Sequence, residues 1–350
     1  MPEITEAELK KQMEKQNFCN LYLLHGEEKY LLKKYADKLI QKASGNSFLD
    51  FNFQKFDGAA ASIDEIAAAV EALPFMSERK CVAISDLNVD AKNAQDIKKL
   101  NELIDTVPET TVLVIYLPSI EIDYKKSNKW KNFIAAVNKK GASCCFKTRS
   151  DADLEKLLCT MAAKRFCALS RQDAAHLIFL CGKDLSTLTN EMEKLCSYTG
   201  EGEITRKTIE LVAVKNMETT VFMLAKALVA GEYDKAYQLL DLLFYQNEEP
   251  VAILSVLSSS YLDMYRVKTA VQSGRSALEP GACFEYRGKE FRLRNAERDA
   301  KKLSTEMLRE SLNVLLETDV ALKSSRTSSR IIMEELIAKL LLIAEREKIA

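Results

Sequence analysis

The sequence predicts an α/β domain built on a mostly parallel sheet, followed by a chain that is helical to its end. Over residues 1–147, short apolar or alternating runs recur between stretches of helical period, the alternation that builds a parallel sheet covered on both faces. From about Thr148 the strand signal stops and apolar residues recur only at three- and four-residue spacing, as in amphipathic helices. The third observation is length: 350 residues exceed one core of ordinary size, so two or three domains are expected. The helices lengthen after Lys215-Asn216, which divides the chain into 1–147, 148–215 and 216–350.

Each element follows from its local pattern. Residues 1–17 read as a short helix with Ile4, Leu9 and Met13 on one side. Phe18–Gly26 (FCNLYLLHG) is an apolar strand ending in glycine, and Glu28–Ala43 is a helix with Leu31, Leu32, Tyr35, Leu39 and Ile40 on one face. Phe51–Phe56 (FNFQKF) alternates as a second strand. The alanine-rich helix Ile63–Ala72 leads to Cys81–Ile84, a continuous apolar run suited to a strand buried on both faces. Ala94–Thr106 and Asn128–Val137 are helices, Thr110–Leu117 is a β-branched strand, and Ser143–Phe146 is the fifth candidate strand. Helices follow at Leu154–Lys164, Arg171–Cys181, Ser186–Tyr198 and Glu203–Val214. The third part holds Thr220–Ala230, Tyr233–Tyr245 and Pro250–Gln272, a polar break at Ser273–Gly281, then Arg294–Leu303, Met307–Lys323 and Arg330–Glu347.

Composition narrows the function classes. Apolar residues make up 47% and charged residues 29%, as in an ordinary globular protein. The 50 basic and 51 acidic residues cancel, which argues against tight autonomous nucleic-acid binding. Clusters such as Lys125, Lys126, Lys129 and Lys131 fit solvated helix faces, and nothing in the spacing of Arg287, Lys289, Arg292 and Arg294 separates phosphate contacts from a solvated surface. Residues 1–20 are polar and lysine-rich, no run reaches membrane-spanning length, and the nine cysteines form no framework, so a reducing cytoplasm with free thiols is expected. Cys159, Cys167, Cys181 and Cys196 match no zinc spacing, and His25 and His176 are the whole histidine supply, so no metal site is expected.

Strand, glycine, helix at Leu21–Leu32 is the layout of a phosphate-binding loop. The chemistry fails at each position. A triphosphate cradle needs GxxxxGK[ST], whereas this chain reads Gly26-Glu27-Glu28-Lys29-Tyr30-Leu31-Leu32. Two carboxylates stand where phosphate would lie, the hydroxyl is missing, and Lys29 reads as a solvated lysine at a helix start. Asp86 ends a strand where a magnesium ligand could sit, yet Leu87 follows it in place of a second carboxylate. No nucleotide, cofactor or metal is expected, and no Ser/His/Asp, Cys/His or paired-carboxylate arrangement marks another catalytic centre.

The unusual feature is Leu73-Pro74-Phe75-Met76, four apolar residues directly after a helix, where a polar connection is the rule. Pro74 lacks a donor and disfavours helical geometry at Leu73, so the helix should stop there. Two readings are open. The side chains fold back over the sheet edge, or they form an apolar plug for a partner's groove, since large apolar groups presented together mark interaction sites.

Three segments together resemble the delta subunit family of the bacterial replicative DNA polymerase clamp loader. Leu21–Tyr30 (LYLLHGEEKY) is similar to its degenerate AAA+ phosphate loop, Gly182–Leu195 (GKDLSTLTNEMEKL) to its lid segment, and Asp319–Arg326 (DVALKSSR) to its C-terminal signature. They occur in the family's order and span nearly the whole chain.

The resemblance implies an AAA+-like α/β domain at 1–147, a helical lid at 148–215 and an all-α collar domain at 216–350. It implies a non-catalytic subunit of a polymerase holoenzyme that binds and opens the ring-shaped sliding clamp for loading onto primed DNA, without hydrolysing ATP itself. Its implied partners are the clamp, and the ATPase subunits and delta-prime subunit met through the C-terminal helices, with no membrane. The family grips the clamp by an apolar pair after a helix; here Pro74-Phe75 fall at that place, with Leu73 and Met76 beside them. The proline departs from an aliphatic residue, so Phe75 is the firmest transfer. Thr148-Arg149-Ser150 is not the Ser-Arg-Cys arginine finger of the ATP-hydrolysing relatives, and Arg149 receives no such role. The competing readings are an AAA+-derived scaffold and a nucleotide-using α/β enzyme, which clamp capture and ATP titration respectively separate.

Overall fold

The computed structural model describes every residue except 1–2, 46–47, 123–125, 287–289 and 350; Lys125, Arg287 and Lys289 lie outside the described residues. The chain divides into two compact units, Met1–Lys156 and Leu157–Ala350.

The first unit runs α1 (Glu6–Lys15), β1 (Leu21–Gly26), α2 (Lys29–Ser44), α3 (Leu49–Asn52), β2 (Phe53–Asp57), α4 (Ile63–Glu71), β3 (Lys80–Ser85), α5 (Ala94–Thr106), β4 (Thr111–Tyr116), α6 (Asn128–Lys140) and β5 (Ala142–Phe146), with the first residues of α7 (Asp151–Ala163). Its five strands form one parallel sheet in the order β2-β3-β4-β1-β5. After three neighbouring strands the chain crosses back over β1 to place β5, so the order reverses beside β1.

The inner strands β1, β3 and β4 are apolar at nearly every position because helices cover both faces, whereas the edge strand β2 (FQKFD) is partly exposed along its length. Leu21, Leu23, Val82, Ile84, Leu113 and Ile115 join Ile66 and Val70 of α4, Leu100 and Leu103 of α5, and Trp130 and Phe133 of α6 in one buried cluster. The alternate residues Tyr22, Leu24, Cys81, Ala83, Val112 and Val114 are equally buried, and α2 lies against β1, β3 and β4. The N-terminal segment is tied to the edge strand, since the Ile4 N–H donates to the Ser143 carbonyl at 2.8 Å.

The second strand differs from its expected bounds. Phe51 and Asn52 belong to the short helical turn α3, and β2 begins at Phe53. Alternation is the only signal there, and a helical turn of four residues can carry the same apolar and polar letters.

The second unit continues through β6 (Cys167–Ala168), α8 (Arg171–Cys181), α9 (Leu185–Thr199), β7 (Gly202–Glu203), α10 (Arg206–Val212), α11 (Met217–Ala230), α12 (Tyr233–Tyr245), α13 (Pro250–Gln272), α14 (Pro280–Cys283), α15 (Glu290–Ala300), α16 (Thr305–Ser324) and α17 (Ser329–Ile349). The strand signal does not end at Thr148 as expected, because β6 and β7 pair in parallel over two residues each. That pairing takes Glu203 out of the expected helix Glu203–Val214, which starts at Arg206 after the cap Thr205. Likewise α15 begins four residues before Arg294 and ends at Ala300. Helices α11 to α17 share a buried core of their own, including Leu224, Leu240, Leu257, Tyr261, Leu308, Leu336 and Leu340. No described helix is long and apolar enough to cross a membrane.

Candidate functional site

The apolar turn grows from a fixed helix. Ser62 and Glu65 form a reciprocal capping box at the start of α4, satisfying donors that a helix start leaves free. At its other end the last carbonyls need partners. Lys80 donates its ammonium to the Ala69 carbonyl, and the Thr111 hydroxyl donates to the Val70 carbonyl at 2.9 Å. Lys80 is buried, and desolvation holds its pKa below the usual lysine value. Both side chains stand at the N-terminal ends of β3 and β4, so the sheet itself grips the helix end from which the turn departs.

Beyond Glu71 the backbone leaves the helix at Ala72, with φ −57° and ψ 143°, one residue before the Leu73 that Pro74 keeps out of helical geometry. Leu73 is then 83% exposed, Phe75 45% and Met76 77%, with Pro74 half-buried. Leu73 and Met76 stand out from the turn, while Phe75 keeps half its ring exposed and lays the rest against Phe48 and Phe51. Met76 adopts a left-handed φ of 47°, an uncommon conformation for a residue of its type.

Phe75 is the best-held member. Its N–H donates to the Asn52 side-chain oxygen at 2.7 Å, and the Asn52 amide donates back to the Phe75 carbonyl at 2.8 Å. Its ring lies 4.9 Å from that of Phe51 and edge-on to Phe48 at 5.6 Å. Phe48, Leu49 and Phe51 are themselves exposed. Sequence reasoning missed Asn52, Phe48 and Phe51 as companions of the turn. The available signal was a second group of large apolar residues flanking an asparagine, but the separation of 23 residues between Asn52 and Phe75 hides the pairing.

The loop Gly26-Glu27-Glu28-Lys29 lies at the opposite end of the strands, beside the reversal of strand order where open α/β sheets bind ligands. Gly26 has a φ of +135°, and a Cβ there would stand 2.2 Å from the Phe146 carbonyl oxygen. The Glu28 N–H donates to that same oxygen at 3.0 Å, and Glu27 accepts from the Thr148 hydroxyl at 2.6 Å. Lys29 is not the solvated lysine expected: half-buried, it donates to the carbonyls of Leu117 at 3.1 Å and Ile120. Burial lowers its pKa, with Glu121 and Asp86 opposing. Asp86 in turn accepts from the N–H groups of Ser119 at 2.8 Å and Ile120 at 3.1 Å. Lys29 and Asp86 thus brace the chain after β4 from both sides. Arg149 pairs with Glu6 at 2.5 Å.

One group of described residues could offer a metal three donors: Glu3, His25 and Cys145 place one ligand atom each within 4.8 Å of the others. A structural zinc takes four protein ligands, one more than this set supplies. Burial pushes the His25 imidazole down to about 4.

Comparison with known proteins agrees with the architecture. The family model for the DNA polymerase III delta subunit matches residues 22–140, and that for the C-terminal domain of the same subunit matches residues 218–340. The Bacillus subtilis DNA polymerase III subunit delta is 24% identical over 338 residues, covering 95% of each chain. The Escherichia coli DNA polymerase III subunit delta is 23% identical over 305 residues, covering 86% of this chain and 85% of its own. Among solved structures, the Bacillus subtilis DNA clamp loader delta protein superposes with a TM-score of 0.62 at 23% identity, over 96% of this chain and 99% of the other. The two matched segments carry four of the sheet's five strands with the apolar turn, and the C-terminal helical core, and the chain belongs to the family of DNA polymerase III delta subunits.

Proposed function

We propose that this subunit binds the ring-shaped sliding clamp through Leu73, Pro74, Phe75 and Met76 and opens it for loading onto primed DNA, without hydrolysing ATP itself. The observation that carries this reading is the exposure of three large apolar side chains at the end of a helix whose last carbonyls are tied to the sheet. Such groups are costly to leave in water unless a partner covers them.

The physics is differential binding. A ring closed by a modest interface opens when a ligand holds the open form more tightly than the closed one. An aromatic anchor seated in a groove is worth ~2–4 kcal/mol, enough, where only the open form receives it, to shift such an equilibrium by roughly one and a half to three orders of magnitude. The unit bearing the turn must stay rigid for that energy to act on the ring, and the capped and anchored α4 supplies the rigidity.

The remaining parts fit an AAA+-type architecture that has kept its shape without its fuel site: an α/β domain at 1–147, a lid at 148–215 and a collar domain at 216–350. The collar helices would meet the ATPase and delta-prime subunits in the cytoplasm, with primed DNA held by the assembly. Leu316 and Val320 stand exposed one turn apart on α16, apolar area that such a contact would cover.

The test is clamp affinity of Phe75→Ala. A loss of roughly 30-fold or more is expected, with thermal stability nearly unchanged because the ring is half exposed. Wild-type affinity in a folded Phe75→Ala protein would defeat the reading.

A further inference from the structure

Asn52 is 1% exposed, yet its amide is spent on a residue that protrudes into solvent. It pairs with both the N–H and the carbonyl of Phe75, at 2.7 and 2.8 Å. A side-chain amide carries two donors and an acceptor, so it can match a peptide unit as a neighbouring strand would. Here it fixes the backbone of one residue inside a loop that has no ladder of its own. The amide is itself held in place by the turn it belongs to. The N–H groups of Phe51 and Asn52 both donate to the Phe48 carbonyl at 3.0 Å, and Phe48 reaches that geometry with a left-handed φ of 54°. The rings of Phe48 and Phe51 bracket the Phe75 ring from the same turn.

From this arrangement we infer that Asn52 is the positioning residue of the docking turn: it pre-sets the direction of Phe75, so that the clamp meets an anchor already in its bound pose. The inference rests on the clamp-binding reading above. A loop free to sample several conformations must be ordered on binding, which weakens affinity without removing any contact. A fixed anchor avoids that loss. Asn52 touches no partner in this scheme and acts only through Phe75.

A double-mutant cycle separates positioning from plain structural support. Asn52→Ala, Phe75→Ala and the double variant are measured for affinity to the purified clamp and for melting temperature. Asn52→Ala should weaken the clamp about tenfold in the native background and have a clearly smaller effect once Phe75 is alanine, when the turn still held by the amide has only Leu73 and Met76 left to present. Asn52→Asp keeps the acceptor for the Phe75 N–H but sets a buried carboxylate oxygen against the Phe75 carbonyl, so it should weaken the clamp at least as much as Asn52→Ala; it carries the test alone if the alanine variant does not fold. Native affinity in a folded Asn52→Ala or Asn52→Asp protein overturns the inference while leaving the role of Phe75 standing. An equal loss from Asn52→Ala in both backgrounds also overturns it, since the residue would then act on the fold and not through Phe75. If Phe75→Ala itself binds the clamp normally, the underlying reading fails.

Discussion

Lys29 donates its ammonium to the carbonyl oxygen of Leu117, 3.1 Å away, across the crevice beyond the C-terminal ends of β1 and β4. The Ile120 carbonyl shares it. The ammonium is not free to meet a phosphate at the loop: it is consumed by two backbone acceptors. Lys29→Ala is expected to lower unfolding stability by about 1–2 kcal/mol, the cost of leaving buried carbonyls without a donor, as read from urea midpoints. Equilibrium titration with ATP should give no saturable binding for either the native protein or the variant. Saturable ATP binding in the native protein would revive the nucleotide-using reading.

Gly26 offers a sharper test of how closed that crevice is. An alanine there must place its Cβ 2.2 Å from the Phe146 carbonyl oxygen at a φ of +135°, a backbone region that side chains disfavour. Gly26→Ala should therefore cost about 3 kcal/mol or prevent folding, whereas Gly45→Ala, also at a positive φ of 67° but with nothing within 4 Å of its Cβ site, should carry the backbone strain alone and cost less. Equal midpoints for the two variants would show that the strand end can yield.

Most of this architecture is legible because it rests on periodicity. Strands buried on both faces announce themselves as apolar runs, and Cys81–Ile84 and Thr110–Leu117 lie within a residue or so of β3 and β4. The helices Tyr233–Tyr245 and Pro250–Gln272 have the expected bounds, the first starting just past the left-handed Gly231 and the second at Pro250. The apolar turn is legible for the opposite reason, since it breaks the expectation of polar connections. What stays hidden depends on long-range geometry. Alternation places Asn52 in a strand, and nothing local connects it to Phe75. Lys29 reads as a solvated cation because its acceptors, the Leu117 and Ile120 carbonyls, lie about 90 residues along the chain. The pairs β6 and β7 are too short for any period to register.

The free thiols give a prediction about packing. Cys283 is exposed, whereas Cys81, Cys144, Cys167, Cys181 and Cys196 are buried. Burial pushes the Cys81, Cys144 and Cys181 thiols up to about 12, so almost no thiolate exists there at neutral pH. Brief labelling with iodoacetamide, read by peptide mass, should modify Cys283 first and these buried residues only after denaturant is added. Early modification of Cys81 would mean that the central strands open far more readily than their burial implies.

His25 yields the pH dependence. It sits 2% exposed at the end of β1, and burial, assisted by the charge of Lys29, lowers its pKa from 6.5 to about 4. The unfolded chain therefore binds a proton between pH 6.5 and 4 that the folded chain does not. Stability rises with pH wherever the unfolded state holds more protons, so the contribution is complete above pH 6.5 and drains away as pH falls toward 4. The interval from 6.5 to about 4 corresponds to at most ~3 kcal/mol. Carboxylates add their own acid sensitivity, which a His25→Gln variant isolates, because it keeps a neutral polar side chain and removes the proton site. Urea unfolding at pH 7.5, 6 and 5 should show the native protein losing stability more steeply than His25→Gln over this window, even if the variant starts lower. Parallel losses would mean that the imidazole charges in the folded state as easily as in the unfolded one, and that the strand end around it admits water.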